Sequence, residues 1–300
     1  MNSKILITGS TGKTGQEVVK RLLAAGREVR ALIRKEDDRS EKLKNQGAEL
    51  VIGDTTDVRS VKSMLKDVES LYFVYPIVQG FADASSNIVC LAKEAGVQYM
   101  VNMSQKPARI NAESHASQQH WVSEELFMKS GVPSTIVRPT FFADWLLTPF
   151  VAPAIRSHNV LKLPFGDGRH APISGYDIGR FVAALLLDPE PHMGKRYDLF
   201  GPKQYNQNEV AAIASKVLGR QIRYKALTID EFDEVLKSRN FSDYIRQHLR
   251  SVALDYQNGV FEGTDEIIEK VTGTRPLDIQ EFIERNKALL APAAALAVVK

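Results

Sequence analysis

The sequence predicts an α/β protein: a doubly wound parallel sheet followed by a smaller, mostly helical C-terminal lobe. Three observations predict it. Short apolar runs alternate with helical patterns through the first half of the 300-residue chain, a glycine-spaced turn joins the first run to the first helix, and the rhythm changes after Pro139. Parallel strands are buried on both faces and so read as near-continuous apolar runs, and helical crossovers are what connect them.

The candidate strands are 4–8, 28–33, 48–52, 70–74, 97–102 and 134–138, separated by helical patterns at 14–25, 57–67, 82–95 and 113–130. Gly26, Gly96 and Gly131 stand just past helix ends, where a left-handed cap is wanted. Asp57 and Asp177 stand where an N-cap belongs. A segment rich in aromatics and prolines, 139–172, leads to a helix over 177–187 and a strand at 195–199. Helices follow near 206–218, 229–238, 242–256 and 278–290. The expected division is a first domain over 1–140 and a lobe over 141–300, partly interleaved with it.

Composition narrows the class. With 44% hydrophobic and 25% charged residues the chain is an ordinary globular one, and a net charge of +3 is too small to point to nucleic acid or a membrane surface. Cys90 is the single cysteine, so no internal disulfide forms, which fits a reducing cytoplasm; its apolar helical setting suggests a core thiol. No signal-peptide pattern opens the sequence, and no apolar run is long enough to span a membrane. The apolar tail over 291–299 is interrupted by Pro292 and reads as a frayed or packed end.

Residues 4–17, KILITGSTGKTGQE, admit two phosphate-binding readings. Gly12-Lys13-Thr14 is the tail of a triphosphatase loop, but that loop needs a glycine five residues before Gly12, and the position holds Ile7. Gly9, Gly12 and Gly15 instead form the ladder of a dinucleotide turn. The first glycine lets the chain leave the strand, the second leaves room for a pyrophosphate, and the third lets the helix pack close. This is the Rossmann arrangement. Thr11, Lys13 and Thr14 form the rim of the turn, with Lys13 a surface neighbour of phosphate.

Cofactor choice is written at the end of the second strand, where an acid would hold the ribose hydroxyls of NAD. The chain has Arg34 there, followed by Lys35, and a guanidinium pairs with a 2′-phosphate in a fork, which favours NADP. The bland alternative is a solvated basic residue beside Glu36, Asp37 and Asp38. After the third strand, Asp54 is placed to meet the adenine edge, or simply ends the strand in a turn. Tyr75 and Ser104 follow the fourth and fifth strands, where the carboxyl edge of the sheet meets the cofactor; Tyr75 equally suits a core.

The usual acid of reductases on this fold is absent: none of the nine tyrosines has a lysine four residues on, the nearest pair being Tyr176 and Arg180. That disfavours a standard carbonyl reductase or a sugar-nucleotide epimerase. The six histidines show no metal-ligand spacing, so no metal is expected.

Three further stretches carry a resemblance: His120-Trp-Val-Ser-Glu124 running on to Arg138-Pro139, Tyr176-Asp177-Ile178-Gly179, and Gly201-Pro202 with Thr272-Gly273 and Pro276 ahead of the last helix. With the glycine turn, they make the chain similar to the NmrA-like atypical short-chain dehydrogenases. Gln118-Gln119-His120 stands where some members carry a lysine, and it resembles the branch of quinone reductases and triphenylmethane-dye reductases. The resemblance implies NADP(H) on the first domain, with the nicotinamide near Pro139, Thr140, Phe141 and Phe142. It implies a substrate pocket between the lobes, lined by Tyr75, His120, Phe141, Phe142, Trp145 and Phe165. A flat aromatic wall suits a small aromatic electrophile such as a quinone or a dye. Such acceptors are already electrophilic, so hydride transfer depends mostly on position, with His120 orienting the acceptor or donating a proton.

Two bland readings stand beside this: Phe141, Phe142 and Trp145 as core, and His120 as a partner of Glu124 one helical turn away. The family also implies a second function, that of a non-enzymatic sensor that binds NADP(H) and signals to a regulatory partner.

Overall fold

The computed structural model describes residues 3–292, so all of the C-terminal tail beyond Pro292 lies outside the described residues. The chain divides into two compact units. The first runs to Pro139 and takes in Gly175–Asp198 and Lys270–Gly273; the second is Thr140–Ser174, Leu199–Glu269 and the residues from Thr274 on.

In the first unit, strands and helices alternate: β1 (Lys4–Ile7), α1 (Lys13–Ala24), β2 (Glu28–Ile33), α2 (Asp38–Asn45), β3 (Glu49–Ile52), α3 (Val58–Met64), β4 (Val68–Phe73), α4 (Phe81–Glu94), β5 (Tyr99–Met103), α5 (His115–Lys129) and β6 (Ser134–Pro139). The sheet runs β3-β2-β1-β4-β5-β6 and ends on a seventh strand, Arg196–Leu199; every pairing from β3 to β6 is parallel. The order reverses between β1 and β4, which in such sheets opens a crevice outside their carboxyl ends. β1 is wholly apolar after Lys4, with Ile5, Leu6 and Ile7 all buried, because helices cover both faces of the sheet. On one face α4 packs against α3 and α5; α1 packs against the helix Gly175–Leu187.

The capping glycines behave as expected, with φ of +75°, +76° and +80° at Gly26, Gly96 and Gly131. Asp57 caps α3, its carboxylate accepting from the Arg59 amide at 3.0 Å. Asp177 is not at the N-cap position: it lies inside the helix Gly175–Leu187, buried, with Arg180 donating to it at 2.8 Å. Cys90 is not a core thiol either. The buried residues of α4 include Phe81, Ala84, Ser85, Ile88, Val89 and Ala92, and Cys90 faces out. Helix α2 was not expected, because Leu43 is the only strongly apolar residue in DRSEKLKN; a reciprocal cap between Asp37 and Ser40 makes it a helix.

The second unit is built around helices Gln207–Leu218, Ile229–Ser238, Asp243–Gln257 and Ile279–Arg285, with a 3₁₀ turn at Ala143–Leu147. The helical pattern over 278–290 breaks at Asn286. A two-stranded parallel sheet, Val160–Leu163 with Arg223–Ala226, was also unexpected. Its strands are four residues each and far apart in the chain, so neither carries a readable period. The core gathers Phe141, Phe165, Tyr256, Phe261 and Phe282.

Candidate functional site

The residues that follow β1 are tied down by side-chain hydrogen bonds to the neighbouring strands. Thr8 Oγ1 donates to the Val74 carbonyl at 2.9 Å and accepts from the Val74 amide at 2.7 Å, joining the carboxyl ends of β1 and β4. Ser10 Oγ donates to Leu32 O at 2.7 Å and joins the turn to β2. Gly9 takes φ +55°, and a Cβ there would stand 2.6 Å from Val74 Cγ1. A Cβ on Gly15 would stand 2.3 Å from Gly9 O, so the third glycine is a packing necessity. Gly12 is different: a Cβ there would meet only Gly9 O, at 3.1 Å, and its other side is open.

Helix α1 starts at this point with Gly12 as N-cap, no side-chain cap and no acid in its first turn. By contrast α2, α3 and α5 are capped by Asp37, Asp57 and Ser114. Uncapped first-turn amides at the positive end of a helix dipole suit an anion, and the open face at Gly12 is the space a phosphate needs. The residues present therefore fit a pyrophosphate. Lys13 is exposed and Thr11 half-buried on the rim, whereas the Thr14 hydroxyl is turned inward, 3.1 Å from the Tyr72 hydroxyl.

A second group forms past the ends of β2, β3 and β4. The Thr56 amide and hydroxyl both donate to Asp54 Oδ1 at 2.8 Å, and these bonds, with the nearby charge of Arg34, hold the Asp54 carboxyl below its usual range. Tyr75 is buried and donates to Gln79 O at 3.2 Å; burial pushes its phenol up, and Arg34 pulls it back. Arg34 itself is exposed. The structure thus brings Arg34, Asp54 and Tyr75 together.

The third group is on α5. Tyr75 stacks on Phe81 (centroids 5.6 Å apart), and Phe81 lies against His120 (4.3 Å), so Tyr75 and His120 end one aromatic row. One turn on, the Glu124 carboxylate is taken up by other residues: Ser104 Oγ and Arg138 Nε donate to Oε1, Arg138 Nη2 donates to Oε2, and Arg196 lies 3.6 Å away. Ser104 thereby spends its hydroxyl on Glu124. Pro139 is buried at the end of β6.

In the second unit, Thr140 Oγ1 donates to Phe261 O at 3.1 Å. Phe141, Phe142 and Trp145 share the wall of one shallow recess. Phe165 does not line it; its ring is stacked on Tyr256 at 4.0 Å and 12°, inside the core. The recess also holds two polar residues the sequence did not single out, His170 and Gln207. An alternation of small hydroxyls around Gly9, in ITGST, was the available signal for Thr8 and Ser10; His170 and Gln207 had none. Among the described residues no cluster of His, Cys, Asp or Glu is placed to hold a metal ion, and no helix is long and apolar enough to cross a membrane.

Residues 1–287 match the NmrA-like family. The NAD(P)H azoreductase of Xenophilus azovorans is 27% identical over 96% of this chain and 100% of its own. Quinone oxidoreductase 2 of Escherichia coli is 27% identical over 93% of this chain and 97% of its own. The solved NADPH complex of that E. coli enzyme superposes with a TM-score of 0.83 at 25% identity, covering 94% of this chain and 99% of that one. The Citrobacter triphenylmethane reductase, at 20% identity over 94% of this chain and 99% of its own and a TM-score of 0.81, shares the fold. The chain belongs to the NmrA-like family.

Proposed function

We propose that this member of the NmrA-like family is an NADPH-dependent reductase of small electrophilic aromatic compounds such as quinones and dyes. The observation that carries it is the β1–α1 turn, whose glycines leave one open face beneath an uncapped helix end. Two relatives matched along more than nine-tenths of the chain, an azoreductase and a quinone oxidoreductase, point to the acceptor class.

The bound dinucleotide supplies the hydride. On this reading Gly9, Thr11, Gly12, Lys13, Thr14 and Gly15 hold its pyrophosphate, with Thr14 acting through its amide because its hydroxyl is turned to Tyr72. Arg34 takes the 2′-phosphate, Asp54 the adenine edge, and Tyr75 and Ser104 the carboxyl edge of the sheet. Pro139, Thr140 and Phe141 belong to the nicotinamide end, and Phe142 and Trp145 to the acceptor. His120 orients the acceptor or gives it a proton. Its competing role as the partner of Glu124 is weakened by the hydrogen bonds that Ser104 and Arg138 already make to that carboxylate.

The purified chain mixed with NADPH and a panel of quinones, azo dyes and triphenylmethane dyes tests the reading. Consumption of NADPH with at least one class is expected. Tight NADP(H) binding with no consumption by any of them would give the regulatory alternative instead. Arg34→Ala is expected to weaken NADPH binding about tenfold or more while leaving NADH binding unchanged, the loss of a charge-assisted fork. Equal affinity of the wild type for NADPH and NADH would remove Arg34 from this role. His120→Gln is expected to lower kcat about 100-fold with NADPH affinity intact, if it supplies a proton. Full turnover would show that it does not.

A further inference from the structure

A buried polar chain in the second unit is not used by the reaction as proposed. Gln207 Nε2 donates to the Tyr256 hydroxyl at 2.8 Å, and the same hydroxyl is hydrogen-bonded to His170 Nδ1. All three residues are buried. A phenol has one hydrogen to give. The oxygen accepts from Gln207, and among the described residues no acceptor other than His170 Nδ1 is within reach of the Tyr256 hydrogen, so that hydrogen goes to Nδ1, which makes Nδ1 the bare nitrogen and puts the imidazole proton on Nε2.

The surroundings hold this arrangement rigid. Tyr256 is stacked on Phe165, and Phe141 stands edge-on to both Tyr256 (5.6 Å) and His170 (5.7 Å). The His170 backbone exchanges two hydrogen bonds with Tyr205, of 3.1 and 2.8 Å. Burial pushes His170 down to about 3, so the ring is neutral near pH 7 and offers one donor and one acceptor.

His170 also lines the recess walled by Phe141, Phe142, Trp145 and Leu146, whose cavity volume of about 20 Å³ is room for one water-sized group. A recess this small admits a single oxygen projecting from a ring rather than the ring itself. Among the described residues no hydrogen bond is made to His170 Nε2.

We propose that the Nε2–H of His170 is a fixed hydrogen-bond donor to the ring-edge oxygen of the acceptor, so that the protein favours quinone-type carbonyl compounds over cationic dyes. This rests on the reductase reading above. Hydride addition to a quinone leaves one negative charge on its oxygens until a proton from water or a side chain completes the hydroquinone, with NADP⁺ as the other product. A neutral N–H held at that oxygen binds it more strongly as the charge grows, which is a gain made in the transition state. A triarylmethyl cation reduced at its central carbon develops no such oxygen. Tyr256 and Gln207 are positioning residues, acting through His170.

Nitrogen-15 NMR of the histidine rings in the full-length wild type is the direct test. His170 is expected as the Nε2–H form with a bare Nδ1; the Nδ1–H form would overturn the proposal. With NADP⁺ present, a quinone is expected to shift the Nε2–H signal and a cationic triphenylmethane dye to leave it in place. No shift with quinone would overturn the donor role even if turnover occurs. A shift without turnover would overturn only the reductase reading. Tyr256→Phe is expected to lower kcat/KM for quinone about tenfold, with dye reduction and NADPH affinity unchanged. Equal losses for both acceptors would mean a merely structural role. His170→Gln, which keeps a donor, is expected to retain more quinone activity than His170→Leu, and the reverse order would count against the donor.

Discussion

Arg138→Ala is expected to lower the free energy of unfolding by about 3 kcal/mol, the low end of the cost of orphaning a buried charge. Its partner Glu124 is fully buried in α5 and receives the guanidinium as a two-pronged fork, with Nε at 2.8 Å from Oε1. Removing the arginine leaves a carboxylate with no access to water. Two things keep the loss from being larger: Ser104 still donates to Glu124, and Arg196 remains at 3.6 Å. Urea unfolding at constant m-value measures it. Replacing both partners by apolar residues, Glu124→Leu with Arg138→Met, is expected to recover much of the loss, since no charge is then left buried. A single-mutant loss below about 1 kcal/mol would place the pair with solvent-screened surface bridges.

Gly15→Ala is expected to abolish useful dinucleotide binding, weakening NADPH by about 100-fold or more, and to destabilise the fold by about 1–3 kcal/mol. The added methyl would lie 2.3 Å from Gly9 O and 2.9 Å from Ser10 Cα. Both are backbone atoms, already fixed by the Thr8 and Ser10 hydrogen bonds, so α1 itself must move off the turn. The comparison is Gly12→Ala, whose methyl meets only Gly9 O at 3.1 Å. That variant is expected to fold nearly as well as the wild type and still to lose NADPH, because its methyl fills the open face. Calorimetric titration alongside thermal unfolding separates the two effects. If Gly12→Ala bound NADPH as tightly as the wild type, the phosphate would not sit where it has been assigned.

How far the chain could be read without its structure follows from the range of each interaction. Strands β1 to β6 were legible to within two residues because each is an apolar run bounded by turn signals. The glycine turn was legible because three spacings within seven residues carry its whole geometry. Helix α2 was not, since a cap and a single buried leucine hold it. Cys90 was misplaced because α4 carries apolar or small residues on most of its surface, and only packing against α3 and α5 shows which side is in. The Asp177 side chain pairs with Arg180 three residues on, a choice that the N-cap pattern does not contain.

The local order of residues was enough for the fold class, the dinucleotide turn and the family, because backbone conformation and hydrophobic period are set by neighbours along the chain. It also put Arg34 directly after β2, which ends at Ile33. What folding added are pairings between residues remote in sequence. Glu124 meets Ser104 and Arg138 across 20 and 14 residues, Gln207 meets Tyr256 across 49, and Tyr256 meets His170 across 86. A buried polar group takes whichever partner the packed core brings within 3 Å or so. No period or motif encodes that choice, so the engaged carboxylate of Glu124 and the fixed proton of His170 are properties of the tertiary structure.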